Sequence, residues 1–403
     1  MTMELEKKIY LDWAATSPPD RSVLATALTR YCEAFGNPSS RHWAGSEAAR
    51  LLEEARSLLA SALGVHNGRL VFTGSGTEAD HIPLLSLLRR QMQPPHKPLH
   101  LVVSAIEHDA IDCLAGILEK AGISITRVRP GPDGCINPSD IAATIRKDTA
   151  LVAVMAVNNE TGAIQDSASI GQAVAAASRE LRIRTPWFHV DAIQALGRIP
   201  LKDVLAHADS VAFSAHKIQG PKGIGALWLR QDMDVLACGG GQEGGIRSGT
   251  ENTMGALAFA LAAQKTLAAS SARQEHACLL EKRLLEGLRN IKGVVIVPDR
   301  SGSQDIATPG VRRHVPGIIS VAFPGLGGET MVRALSDRGI AVSTGSACSS
   351  NKKKKGRRIL EAMGVPEELS FSAIRVSTGP DTTLEDVDCF LEEAEAIYRK
   401  LKT

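Results

Sequence analysis

Apolar residues along this chain gather into short continuous runs separated by longer stretches of helical period. Residues 70–72, 99–103, 123–128, 151–157, 188–190, 211–213 and 225–229 are such runs, too short for helices and bounded by turn-forming or polar residues. Residues 21–35 and 46–63 repeat apolar positions at helical spacing, and Gly36 and Gly64 stand where each helix should stop. Strands buried on both faces read as apolar runs because helices cover them. The alternation therefore predicts an α/β domain with a mostly parallel sheet. The pattern changes near residue 256. Residues 255–291 form a long helical stretch that reads as a connector. Strands over 293–297, 317–323 and 340–342 follow, with a helix over 329–338 and a closing amphipathic helix over 386–401. Three parts are expected: an N-terminal segment, 1–18, packing with the small domain; a large domain, 19–260; and a smaller α+β domain, 261–403.

Composition narrows the function classes. At about 150 residues per domain, the 403-residue length fits this division and permits a large core without staples. Lys and Arg number 46 against 44 Asp and Glu, so the chain lacks the basic excess of a nucleic-acid-coating protein. Aromatics at 4% are too few for a base-stacking surface. No run of 18 apolar residues offers a membrane span, and the charged first ten residues lack a signal core, so a cytoplasmic protein is expected. Seven scattered cysteines without a CxxC pair disfavour a disulfide framework and a structural zinc. His96 and His100 have metal-ligand spacing, but surrounding prolines deny them a helix, and they read as a solvated loop. No metal site is expected.

In an open parallel sheet, ligands gather at the carboxyl ends of the strands. Each apolar run here delivers polar groups to that edge: Gly74-Ser75-Gly76-Thr77, then Ser104 with Glu107 and His108, Asn158 to Gly162, Asp191 with Gln194, and Ser214 with His216 and Lys217. One chemistry accounts for the series. A lysine at a strand end forms a Schiff base with pyridoxal phosphate, a carboxylate keeps the ring nitrogen protonated, and hydroxyls with backbone amides hold the phosphate. Lys217 is then the base, Asp191 the ring-nitrogen partner, and Gly76, Thr77, Ser214 and His216 the phosphate group. Lys222 competes with Lys217 but stands in a turn.

The motifs YLDWAAT (10–16), FGNPSS (35–40), GTE (76–78), EH (107–108), VNNETG (157–162), HVDAIQ (189–194), SAHK (214–217), GPKG (220–223), GGGQE (239–243), RSGT (247–250), GSAC (345–348) and IRVS (374–377) resemble, in order, the pyridoxal-phosphate-dependent cysteine desulfurases of the class-V aminotransferase family. That resemblance implies a fold-type I transferase with a mostly parallel-sheet large domain that binds the cofactor. It implies that His108 stacks on the ring and assists proton transfer. Asn159 and Gln194 would contact the ring's phenolic oxygen, and Thr250 the phosphate of a neighbouring subunit in a homodimer. Arg375, helped by Asn37, would bind the substrate carboxylate, and Cys348 would be the sulfur-accepting nucleophile on a mobile loop of the small domain. L-Cysteine is the expected substrate, and an acceptor such as an iron–sulfur scaffold the expected protein partner.

The chain departs from the family pattern after Cys348. The run 352–358, KKKKGRR, replaces a small polar stretch; it reads either as a solvated loop or as a docking site for an acidic acceptor and a field favouring the thiolate. Gly244 stands where arginine is usual, and His81 where asparagine is common. The expected activity is conversion of L-cysteine to L-alanine with sulfur passed to Cys348 as a persulfide. A selenocysteine lyase or a C–S lyase on the same fold, or a non-catalytic assembly platform, are the alternatives.

Overall fold

The computed structural model describes residues 8–300, 312–345 and 357–402. Twelve strands are present among them: β1 (Ile9–Tyr10), β2 (Arg69–Thr73), β3 (His100–Ser104), β4 (Ser124–Val128), β5 (Thr149–Met155), β6 (Trp187–Asp191), β7 (Ser210–Ser214), β8 (Gly225–Leu229), β9 (Val295–Val297), β10 (Ile318–Ala322), β11 (Ile340–Ala341) and β12 (Ala373–Ser377). Seven of them form one sheet in the order β2-β8-β7-β6-β5-β3-β4. Strands β7, β6, β5, β3 and β4 run parallel, and β8 alone pairs antiparallel with both neighbours. The mostly parallel sheet expected from the apolar runs is present. Strand β5, TALVAVM, is buried at every position, as a strand covered on both faces must be.

Strand order fixes where a ligand can sit. The chain moves outward from β3 to β4 on one side and from β5 through β6 to β7 on the other. The direction reverses between β3 and β5, and that crevice is where open α/β sheets bind ligands. His108 follows β3 and Asn159 follows β5, one on each side of it.

The two largest of five hydrophobic clusters among the described residues follow from two sets of helices. The larger packs the helices Trp43–Leu63 and Thr253–Ala268 on the sheet. The smaller packs Ser270–Asn290 and Leu384–Leu401 on the antiparallel sheet β12-β10-β9, and takes in Ile9 and Leu11 from the start of the chain. The stretch read as one long connector is thus two helices broken at Ala269. Its halves have different partners. Thr253–Ala268 is nearly all apolar and sinks into the first core, whereas Ser270–Asn290 is amphipathic and lays one stripe on the second. Two short helices near the C-terminus, Arg358–Ala362 and Glu367–Ser372, were also not legible as periodic segments.

Candidate active site

Strand β6 ends in Asp191, which is 4% exposed and accepts a hydrogen bond from the Ile193 amide at 2.9 Å. Burial, then the neighbouring Asp80, push its carboxyl up to about 7. A carboxylate this deep is costly unless a cation faces it. Beneath it, His189 lies 3.2 Å from Asp80 Oδ1 and 2.8 Å from Ser210 Oγ, and burial lowers its pKa to about 4.

Strand β7 ends in Ser214 and continues as one tight turn, Ala215–Lys217. That turn carries Lys217 into the crevice, where Nζ donates to the carbonyls of Ala14 at 2.7 Å and Ala15 at 2.8 Å. Burial, then Arg375 and Arg198, bring the Lys217 ammonium down to about 7. Lys222 is exposed, which favours Lys217 as the reactive amine. His216 lies 3.1 Å from Thr16 Oγ1, and burial lowers it to about 4.

The segment after β5 folds around Asn158, whose Oδ1 accepts from the amides of Glu160 and Thr161 at 2.9 Å each. Asn159 takes no side-chain part in that turn, and its Oδ1 is buried with no hydrogen-bond partner among the described residues. Gln194 Oε1 is orphaned in the same way, while its Nε2 donates to the Ala14 carbonyl at 2.8 Å. His108 caps the helix Asp109–Lys120, and its Nδ1 accepts from the Ala110 amide at 3.1 Å. Burial lowers its pKa, while Asp191 and Lys217 act on it with opposite signs, which marks the three as neighbours.

Arg375 comes from the other sheet, on β12, and is 3% exposed. Its Nη2 donates to Asp12 Oδ1 at 2.7 Å, and its Nη1 to the carbonyls of Asn159 at 2.9 Å and Gly345 at 3.3 Å. Its Nε is buried without a hydrogen-bond partner among the described residues. The Nε edge of the guanidinium is therefore the one left for a carboxylate.

The helix Gly76–Met92 opens beside this group, with Ser75 Oγ accepting from the Glu78 amide at 3.1 Å and Thr77 in the first turn. A Cβ on Gly76 would run into Ile193 and Ser214, so only glycine lets this helix start approach β6 and β7 so closely. The structure thus brings Gly76, His108, Asn159, Asp191, Gln194, Ser214, His216, Lys217 and Arg375 to one edge, with Thr77 exposed in the first turn of the helix beside them. It does not bring Asn37 or Thr250 there. Asn37 is exposed and turns its Oδ1 onto the Ser39 amide at 3.0 Å, and Thr250 is exposed on the surface. Cys348 and Lys352 to Lys355 lie outside the described residues. Arg357 and Arg358, the end of the basic run, are committed locally: Arg357 Nη1 donates to the Ala373 carbonyl, and Arg358 to the carbonyls of Ala105 and Glu107. At Gly244 the guanidinium of Arg69 occupies the place a Cβ would take, and His81 Nε2 lies 3.0 Å from the Ala110 carbonyl.

The carbonyls of Ala14 and Ala15 and the carboxylate of Asp12 were missed from sequence, although all three lie inside the quoted YLDWAAT motif. The residues fit a phosphorylated pyridine aldehyde: a buried acid to accept from the ring nitrogen, two side-chain amides whose oxygens lack partners among the described residues, and a lysine near its neutral form.

The class-V aminotransferase model matches residues 9–390, and the chain belongs to that family. Within it, the chain is similar to cysteine desulfurase IscS of Dictyoglomus turgidum, at 34% identity over 402 residues covering 99% of this chain and 96% of that protein. It is similar to cysteine desulfurase IscS of an Anaeromyxobacter species at 35% identity, covering 98% and 93%. Among solved structures, a NifS-like protein superposes with a TM-score of 0.86 at 32% identity, covering 98% of this chain and all 100% of that one. No helix of the described residues is long and apolar enough to cross a membrane.

Proposed function

We propose that the chain is a pyridoxal-phosphate-dependent cysteine desulfurase that converts L-cysteine to L-alanine and passes the sulfur to Cys348. The observation that carries this reading is the convergence of Lys217, Asp191 and the open edge of Arg375 from three separate strands. Its cysteine desulfurase relatives match nearly the whole chain. Pyridoxal phosphate, when bound, supplies an electron sink for negative charge at the substrate Cα. Lys217 and Asp191 would hold it, with Asn159 and Gln194 toward its phenolic oxygen and Gly76, Thr77, Ser214 and His216 toward its phosphate.

The chain's own groups divide the remaining work. Arg375 receives the substrate carboxylate on its Nε edge, while Asp12 and the Asn159 and Gly345 carbonyls keep the guanidinium from turning. Lys217, with its proton affinity brought near neutrality, takes the Cα proton. His108 assists proton movement, held in place through its capping bond. The Cys348 thiolate forms an S–S bond with the substrate sulfur as the Cβ–S bond breaks. The electron pair stays with the carbon skeleton and is protonated to give alanine. Cys348 keeps the persulfide for an acceptor protein such as an iron–sulfur scaffold, and Thr250 serves the second subunit of a homodimer.

The test is an absorbance spectrum of the purified protein with and without L-cysteine, alongside alanine release. A yellow protein whose spectrum shifts with cysteine and which yields alanine is expected. A colourless protein that takes up no pyridoxal phosphate overturns the reading. Recovery of alkylated Cys348 persulfide after turnover separates it from a lyase that releases free sulfide or selenide.

A further inference from the structure

A second space adjoins Lys217. A cavity of about 70 Å³ lies among Trp13, Arg198, Lys217, Gln219, Arg273 and Thr378, and no carboxylate lines it. Two of its polar groups, on Thr378 and Arg198, are unsatisfied among the described residues. Thr378 is 4% exposed, yet its hydroxyl oxygen has no hydrogen-bond partner among the described residues. Arg198 is half-buried, makes no side-chain hydrogen bond or ion pair with a described residue, and has only cations acting on it, Arg375 and Arg273. Burial and those two charges lower it to about 10. Arg273 is better served: its Nη2 donates to Gln219 Oε1 at 2.7 Å, and Asp381 and Asp20 act on it. A partly buried guanidinium near two others, with no ion pair to a described residue, favours an anion at its side. The group missing from this arrangement is an anion.

Size and donor chemistry narrow its class. Water needs roughly 10–15 Å³ of such space per molecule, so the cavity admits a few waters or one tetrahedral ion. A planar fork of N–H donors on one side and a hydroxyl on the other match several oxygens on one centre. We propose that this cavity is a binding site for a small inorganic oxyanion of sulfate size, seated between the Arg198 guanidinium and the Thr378 hydroxyl. Arg198 also borders two larger surface cavities; one carries Asp133, Asp140, Asp166 and Asp203, whereas the other, with Lys202 and Arg230 and no carboxylate, gives the ion a route that avoids the reaction crevice. An anion there offsets the Arg198 charge that weakens proton binding by Lys217.

The test uses crystals of the protein loaded with pyridoxal phosphate, so that the phosphate-binding groups are already filled. Soaking in selenate, a sulfate analogue located by its anomalous scattering, should give a peak bridging Arg198 and Thr378. In solution, sulfate titrated calorimetrically at constant ionic strength should bind the parent chain. Arg198→Met should weaken that binding about tenfold or more, as loss of a charge-assisted contact predicts. Thr378→Val, nearly the same shape, should weaken it less and serves if Arg198→Met does not fold. No peak in the cavity, a peak only elsewhere such as at Arg375, or sulfate binding unchanged by the variants overturns the proposal. None of these readouts measures turnover, so failure here is distinct from failure of the desulfurase reading.

Discussion

Arg375 and Asp12, 363 residues apart in the chain, meet in an ion pair of 2.7 Å at the floor of the crevice. Asp12 spends one of the Nη2 donors and leaves the Nε edge open, so it aims the guanidinium without filling it. Asp12→Asn keeps an acceptor at that position and removes the charge. It should raise KM for cysteine modestly, Asp12→Ala should raise it more, and neither should alter the spectrum of the bound cofactor. Steady-state kinetics with the spectrum as control checks this; an altered cofactor spectrum would move Asp12 from positioning to cofactor binding.

Arg375→Lys keeps a positive charge but loses the planar fork. A rise in KM of about tenfold, about 1.4 kcal/mol, is expected, with the cofactor spectrum unchanged. An unaltered KM would remove Arg375 from the carboxylate site.

Lys217 sits near neutrality because of burial and the arginines beside it, against an ordinary value of 10.5. Only the uncharged amine attacks an aldehyde. Capture of pyridoxal phosphate by the cofactor-free protein should therefore accelerate as pH rises through about 7 and level off well below 10. Lys217→Ala should abolish the borohydride-reducible link, and an adduct mapped to Lys222 would reassign the site.

Asp191 ties stability to pH. Its folded-state pKa of about 7 lies above the ordinary 3.8, so between these values the folded chain holds a proton that the unfolded chain has lost. Stability of the cofactor-free protein falls across that window as pH rises. Asp191→Asn should then melt higher than the parent in cofactor-free form at pH 8, with the gap closing toward pH 4, while losing activity. Melting curves at both pH values decide it; equal melting at pH 8 would mean that the carboxylate is already compensated.

Cys348→Ser should bind pyridoxal phosphate, change its spectrum on adding cysteine, and release almost no alanine, because a serine hydroxyl is scarcely ionised near neutral pH. Substantial alanine from this variant would favour the lyase reading.

The strand-end residues were legible because a parallel sheet sends every strand's terminus to one edge, so the polar group after each apolar run is already located. Backbone contacts left no such trace. Nothing in an alanine side chain announces that the carbonyls of Ala14 and Ala15 receive Lys217. The pairing of Asp12 with Arg375 joins opposite ends of the chain, beyond the reach of any local period. The break at Ala269 was hidden for a different reason: both halves are helical, and only the change of partner core separates them. Arg357 and Arg358 looked continuous with the lysines before them, yet their guanidiniums are committed to backbone carbonyls. Arg358→Gln should therefore lower stability, whatever the role of the lysines before it.

Strand β1 lies parallel to β11, with Ile9 opposite Ile340 and Tyr10 opposite Ala341, and the Ser377 amide donates to the Leu11 carbonyl. During synthesis residues 9 to 12 thus wait for partners at 340 to 377, made more than 300 residues later. The large sheet, complete at residue 229, can form while Asp12 still lacks Arg375. Until that late closure, the carbonyls that receive Lys217 are not tied to the second sheet. Completion of the crevice therefore requires residue 375, and a nascent chain with a finished sheet has no finished crevice.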